Sequence, residues 1–144
     1  SGVAVPWALK AQEILAEQYG VAADVWSVTS WNEIAKEAVE VERWNLNHAG
    51  EEYRKAWITQ ALAQEKGVTL AVSDYMRAVA DQIAPWVPGG WESLGTDGFG
   101  FADTRPAARR FFHVDAQSVV VAALAAVVTL LQYVMIFLGS RDRE

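Results

Sequence analysis

The sequence Val68-Thr69-Leu70-Ala71-Val72 is a short, almost wholly apolar run. Such a run predicts a β-strand that is covered on both faces, as strands of parallel sheets are. Trp91–Leu94 follows a turn at Pro88–Gly90 and predicts another strand, and the alternating apolar residues of Ala23–Val28 predict an earlier one. Helical segments separate these strands, which indicates crossover connections. We therefore expect a three-layer α/β/α domain with a mostly parallel sheet.

Helix boundaries are marked by caps and prolines. Ser30 with Glu33 three residues later is typical of a capping box, and Pro6 and Pro106 suit first helical turns. Asp115 is a candidate cap for the last helix. The predicted helices run from Pro6 to about Gly20, Ser30 to about Trp44, Glu51 to Glu65, Tyr75 to about Ala84, Thr104 to Phe112, and onward from Asp115.

Length and composition exclude several classes of protein. The chain has 144 residues, which predicts a single domain over positions 1–144. It has no cysteine, so disulfides and thiolate chemistry are excluded, and a reducing cytoplasm suits it. The formal charge of −6 disfavours a nucleic-acid partner, which needs clustered Lys and Arg.

The segment that most resembles a ligand-binding site is the glycine-rich loop Gly95–Gly100, which follows a predicted strand. Open α/β sheets bind ligands beyond the carboxyl ends of their strands. One interpretation is a tight connection whose Phe99 fills the core. The other is a vestigial anion or substrate-entry crevice, lined by Ser73, Asp74, Asp97 and Arg105.

No residue set predicts catalysis or metal binding. His48 lies near Glu51 and Glu52, but the paired histidines or cysteines of a zinc site are missing. His113 is interpreted as a structural histidine, and no phosphate-binding loop of the Gly-Lys-Ser/Thr type occurs. We therefore expect no catalytic, metal or cofactor-binding residue in this chain.

Two groups of motifs carry a more specific signal. They are Val25–Glu33 with Glu42–Asn45, and Ser73–Met76 with Val87-Pro88, Leu94–Gly100, Asp103–Arg105 and Val114–Ala116. Together they resemble the C-terminal domain of the bacterial homodimeric pyruvate dehydrogenase E1 component, in the transketolase superfamily. Phe101–Ala107 is most similar to the actinobacterial branch, and the resemblance spans about Gly2 to Ala126.

The resemblance implies a role without chemistry of its own. In that family, thiamine diphosphate and magnesium are bound by two upstream domains, so neither cofactor is expected here. The implied function is a non-catalytic scaffold or assembly domain that self-associates as a homo-oligomer. The alternative is a fragment of a thiamine-diphosphate-dependent pyruvate dehydrogenase that needs separate cofactor domains.

Three departures from the family indicate an engineered, rebuilt chain. Helix-forming residues occupy Ala49–Trp57, where the family is rich in proline. The family's first strand is not found before Ser1-Gly2, and an apolar segment, Val127–Leu138, follows the matched region. We interpret the last two departures as a circular permutation, in which Tyr133–Leu138 is a strand that replaces the first family strand.

The charge-free segment Val119–Leu138 leaves three alternatives open. Its twenty residues meet the length of a membrane-spanning helix. The second alternative, which we favour, is a helix followed by the core strand just described. A third alternative is one long helix whose apolar surface associates with another copy.

Overall fold

The computed structural model describes the backbone of residues 2–100 and 102–141, and the side chains of 2–100 and 102–129. Short 3₁₀ turns occur at Gly2–Ala4 and Ala84–Trp86. The helices and strands, in chain order, are α1 (Val5–Tyr19), α2 (Trp31–Asn47), α3 (Trp57–Ala61), β1 (Thr69–Val72), α4 (Arg77–Asp81), β2 (Trp91–Leu94), α5 (Arg105–Phe111) and α6 (Ala116–Arg141).

The described sheet consists of β1 and β2, which are parallel, with Thr69 opposite Trp91 and Val72 opposite Leu94. Hydrogen bonds continue past both ends of the ladder, from Thr69 N–H to Gly90 O at 2.9 Å and from Ser73 N–H to Leu94 O at 3.1 Å. The predicted α/β fold with a parallel sheet is confirmed, although the sheet is small.

Helices cover both faces of this sheet. Successive strand residues point to opposite faces, so Ala71 packs with the cluster built by α2, α3 and α4, and Val72 packs with the cluster built by α1 and α6. The first cluster comprises Trp31, Ala38, Ala56, Ile58, Leu62, Ala71, Ala80, Ile83 and Val87. The second comprises Ala4, Ala11, Leu15, Val72, Val119 and Val120.

Most predicted helix starts are confirmed. Ser30 Oγ accepts the N–H of Glu33 at 3.2 Å, and Asp115 Oδ1 accepts the N–H of Ser118 at 3.3 Å. Each bond satisfies a backbone donor that has no partner within its helix. The helix predicted from Tyr75 to Ala84 is shorter, because α4 ends at Asp81 and a 3₁₀ turn containing Pro85 follows.

The strand predicted at Ala23–Val28 is wrong. Residues 21–30, which we call the α1–α2 connector, contain neither helix nor strand. Their exposure still alternates at first, with Val21, Ala23 and Val25 half-buried and the residues between them exposed. The period of two is therefore present, but no strand among the described residues forms a ladder with the connector.

The helix predicted over Glu51–Glu65 is also wrong for most of its length, since only Trp57–Ala61 is α-helical. The N–H of Trp57 donates to the Glu37 carboxylate, at 3.0 Å and 3.2 Å to its two oxygens. The side-chain amide of Asn45 accepts the N–H of Arg54 and donates to the Arg54 carbonyl. These bonds from α2 override the helix propensity of the segment.

The strand predicted at Tyr133–Leu138 is wrong, because these residues lie within α6. No proline or glycine interrupts the chain between Ala116 and Leu138, and extending an existing helix adds one hydrogen bond for each residue fixed. The circular permutation that depended on this strand is not supported.

In the part of the chain whose side chains the structure describes, one apolar segment is long and apolar enough for a membrane span. It lies within Arg105–Thr129, with a mean hydropathy of 1.8 and 22% of the 18-residue window buried. The segment is not one continuous helix, since α5 ends at Phe111, α6 begins at Ala116, and His113 between them has a φ of 58°. Buried core helices of soluble proteins pass the same test.

Candidate functional site

The candidate site lies where β1 and β2 end side by side. Ser73 and Asp74 follow β1, and the loop starting at Gly95 follows β2. Because the strands are parallel and Val72 faces Leu94, both loops leave the same edge of the sheet. This is the edge at which open α/β sheets bind ligands.

Hydrogen bonds join the two loops to each other. The N–H of Thr96 donates to Tyr75 O at 2.9 Å, and its hydroxyl donates to Asp74 O at 2.5 Å. Ser73 Oγ accepts the N–H of Tyr75 at 3.1 Å. The polar groups of the strand ends therefore satisfy one another.

Asp97 has a structural partner as well. Its Oδ1 accepts the N–H of Arg77 at 2.9 Å, and Arg77 is the first residue of α4. The first N–H groups of a helix have no acceptor inside it, so the Asp97 carboxylate replaces the missing one. Its contact fixes the position of α4 relative to the loop after β2.

Gly95 is required by close backbone approach. A Cβ at this position would lie 2.6 Å from Tyr75 O and 2.8 Å from Arg77 N, both backbone atoms. No flexible side-chain end is available to move aside there. Only glycine lets the two loops approach this closely.

The structure brings three of the four predicted crevice residues together. Ser73 is buried, while Asp74 and Asp97 are exposed beside it. Arg105 starts α5, and no hydrogen bond or ion pair of the described side chains links it to the other three. Phe99 is 97% exposed, so the interpretation that it fills the core is wrong.

Sequence reasoning missed a polar network between α4 and β2. Asp81 Oδ1 accepts hydrogen bonds from Trp91 Nε1 at 2.9 Å and from Ser93 Oγ at 2.6 Å. Arg77 Nε donates to the same Ser93 hydroxyl at 3.1 Å. The available signal was the spacing of four between Arg77 and Asp81, which puts both on one helix face.

The network also sets the charge state of Asp81. Burial acts to raise its pKa, but the hydrogen bonds from Ser93 and Trp91 and the positive charge of Arg77 favour the carboxylate. The net result is a pKa below the usual value of the group. The network is therefore built around an ionised Asp81.

His48 belongs to an aromatic stack rather than to a metal centre. Its ring lies 4.2 Å from that of Trp44 at an interplanar angle of 8°, and the Arg54 guanidinium lies 3.5 Å from the centre of the Trp44 ring. His48 Nδ1 is 2.7 Å from Trp44 O. Among the described residues, no three His, Asp or Glu side chains are grouped to hold a metal ion.

Comparison with known proteins supports the resemblance found in the sequence motifs. The family model described as transketolase-like TK C-terminal domain matches residues 1–115. The chain is 59% identical over 124 residues to the pyruvate dehydrogenase E1 component of Mycolicibacterium smegmatis, covering 86% of this chain and 13% of that protein. For the Mycobacterium tuberculosis protein of the same name, the identity is 56% over 126 residues, covering 88% of this chain and 14% of that protein.

A relative of lower identity has the same name and is covered to a similar extent. The pyruvate dehydrogenase E1 component of Escherichia coli K12 is 47% identical over 116 residues, covering 80% of this chain and 13% of that protein. The chain thus spans about one-seventh of the length of these relatives.

Proposed function

Because this chain belongs to the family of transketolase-like TK C-terminal domains, we propose that it is the scaffold and assembly domain of a cytoplasmic pyruvate dehydrogenase E1 component. It binds no cofactor and catalyses no reaction alone. In this proposal thiamine diphosphate and magnesium belong to the other domains of such an enzyme.

The observation that carries the proposal is the internal use of polar groups where the two strands end. Ser73 and Asp97 accept hydrogen bonds from backbone N–H groups, and Thr96 donates to a backbone carbonyl. A catalytic group must instead be free to reach a substrate. The arrangement supports a rigid loop pair that positions neighbouring domains.

A second candidate function is an enzyme fragment that works with separate cofactor domains. The exposed Asp74 carboxylate at the carboxyl edge of the sheet favours it, since ligands of α/β sheets approach from that edge. In that case Ser73, Asp74 and Asp97 line the entrance to an active site formed by the other domains.

Self-association is proposed to use α6. Val119 and Val120 are buried against α1 and β1, while Val121 is 58% and Val128 is 53% exposed. An apolar helix surface of this kind is typical of an oligomer contact. The membrane-anchored alternative uses the same surface and predicts that the chain needs detergent for solubility.

The segment after Ala126 is the departure through which the hypothesis of an engineered chain can be tested directly. The region 49–57 gives no new helix before Trp57, and Tyr133–Leu138 gives no strand. If the added segment had been designed to complete the fold, a chain shortened to residues 1–129 would lose its cooperative unfolding transition. We expect the shortened chain to keep it.

The test is pyruvate turnover with thiamine diphosphate and magnesium, measured on the chain alone and after addition of an E1 component that lacks its C-terminal domain. The proposal predicts no turnover by the chain alone and no turnover that depends on Asp74. Turnover by the mixture that is lost in Asp74→Ala would favour the second candidate. Turnover by the chain alone would refute the proposal.

A further inference from the structure

The short helix α5 carries the most basic stretch of the sequence. Residues 104–113 contain Arg105, Arg109 and Arg110 and no Asp or Glu, whereas the whole chain has a formal charge of −6. The positive charge is therefore a local excess on an acidic protein. Its field attracts anions over about one Debye length, which is about 8 Å at physiological ionic strength.

These arginines have no carboxylate partner among the described side chains, whose ion pairs both involve lysines. Two acidic residues flank α5, and each is bound at the start of a helix. Asp103 Oδ1 accepts the N–H of Thr104 at 2.6 Å, and Asp115 Oδ1 accepts the N–H of Ser118 at 3.3 Å. Neither carboxylate therefore neutralises the arginines through a direct contact.

The surface of α5 is open to solvent. None of its seven residues is fully buried, and Arg105 and Arg110 are exposed. Arg109 is half-buried, since its guanidinium lies 4.9 Å from the centre of the Trp7 ring in α1. A guanidinium over an aromatic ring is attracted to the ring but keeps its N–H donors. All three arginines can thus donate hydrogen bonds to a ligand at this surface.

The end of α5 holds the backbone that carries the arginines. His113 has a φ of 58°, the left-handed conformation in which many helices end. The N–H of Val114 donates to Arg109 O at 3.0 Å, and the N–H of His113 donates to Arg110 O at 3.2 Å. These are the two bonds of a Schellman motif, and Val114 itself is buried. A backbone held in this way needs little ordering when a ligand binds.

We propose that this basic surface of α5 docks an acidic peptide segment of a partner protein. Arg105 and Arg109 are four positions apart, so their Cβ atoms lie on one helix face about 5–6 Å apart. In an extended peptide, side chains two positions apart point the same way and are about 7 Å apart. Two such carboxylates match the two arginines, and each guanidinium can form a pair of parallel hydrogen bonds with a carboxylate.

The charge of the whole chain favours a short acidic peptide over other anionic partners. A nucleic acid presents a continuous line of phosphates, which an acidic chain repels outside its three arginines. Two copies of this chain, each with a formal charge of −6, also repel each other at long range. Polybasic sites for membranes typically have about four to eight Lys and Arg residues.

The test uses the fluorescently labelled peptide Ser-Glu-Ala-Glu-Ala-Glu-Ser as the probe and fluorescence anisotropy as the measurement. The control peptide has glutamine in place of each glutamate and should not bind. Arg105→Gln with Arg110→Gln should weaken binding of the probe by about four- to twentyfold, since an exposed charged pair contributes about two- to fivefold.

Two further double variants make the test specific. Lys55→Gln with Lys66→Gln removes the same charge from exposed positions elsewhere, and should change the affinity by less than about twofold. Arg105→Lys with Arg110→Lys keeps the charge and should bind the probe more tightly than the glutamine variant. The altered side chains form no hydrogen bond or ion pair with described residues, so all three variants should melt like the wild type.

Several results would overturn the proposal. They are equal binding of the glutamine peptide, unchanged affinity in Arg105→Gln with Arg110→Gln, and a lysine variant as weak as the glutamine variant. Tighter binding of a single-stranded oligonucleotide or of phosphatidylserine vesicles would assign the surface to another class of partner. Self-association that Arg105→Gln with Arg110→Gln abolishes would assign it to a second copy. None of these readouts involves pyruvate turnover, so the outcome is independent of the proposed function.

Discussion

Both ends of the Asn45 side-chain amide are bound to the backbone of Arg54. Oδ1 accepts the Arg54 N–H at 2.9 Å, and Nδ2 donates to the Arg54 carbonyl at 2.8 Å. The Arg54 guanidinium meanwhile lies over the Trp44 ring. One turn of α2 thus holds a segment whose composition favours helix in a non-helical path.

The first prediction concerns this contact. Asn45→Ala removes both hydrogen bonds and should lower the free energy of unfolding by about 1–2 kcal/mol. This is a small loss for two hydrogen bonds, because the contact is exposed to water. Urea denaturation measures the change. The matched control is Asn47→Ala, whose amide donates only to Arg43 O within α2, at 2.7 Å. Equal losses in the two variants would show that the Arg54 contact contributes nothing specific.

The second prediction concerns the joined loops. Gly95→Ala should destabilise the protein by about 1–3 kcal/mol, because its Cβ would collide with two backbone atoms. The matched control is Gly67→Ala, where a Cβ meets nothing within 4 Å. Thermal unfolding compares the two. A Gly95→Ala protein as stable as the control would contradict the close approach of the loops after β1 and β2.

The third prediction concerns the acid stability set by Asp81. Its pKa is lower in the folded protein than in the unfolded chain, so its charged form stabilises the fold above the unfolded value of about 3.9. That stabilisation should be lost as the pH falls through the lower, folded pKa. Asp81→Asn removes this dependence.

The measurement is the melting temperature of wild type and Asp81→Asn from neutral pH to about pH 2. The wild type should be the more stable at neutral pH, and the difference should narrow below about pH 4. Asp74→Asn removes an exposed carboxylate and controls for the change in net charge. A difference that stays constant over the whole range would contradict the role of ionised Asp81.

The fourth prediction concerns the outer surface of α6. Sedimentation velocity in plain buffer should show association that increases with protein concentration, and Val121→Glu with Val128→Glu should shift the chain to the monomer. The control places the same two charges at Phe99 and Leu46, which are 97% and 83% exposed. A chain that requires detergent throughout would instead favour the membrane-anchored alternative.

Sequence patterns predicted the elements whose determinants are local. The apolar run at Val68–Val72 and the Ser30 and Asp115 caps depend on neighbours a few residues away, and all three are confirmed. The region 49–57 was mispredicted, because Glu37 and Asn45 act on it from α2. Helix propensity does not include such contacts.

Part of the candidate site was predictable from the sequence, because it follows from the parallel arrangement of the strands. Parallel strands bring their carboxyl ends together, so Ser73, Asp74 and Asp97 were expected at one edge and are found there. The position of Arg105 depends on the path of the loop between β2 and α5, which no local pattern specifies. The bond from Ser93 to Asp81 likewise depends on how α4 packs on β2.

The most direct test of the scaffold role is a chimera. Residues 2–126 of this chain replace the matching C-terminal segment of the Mycolicibacterium smegmatis pyruvate dehydrogenase E1 component, and pyruvate turnover is compared with the parent enzyme. We predict a folded chimera that keeps turnover close to that of the parent, including when it carries Asp74→Ala. A chimera that folds and assembles like the parent but does not turn over pyruvate would contradict the account.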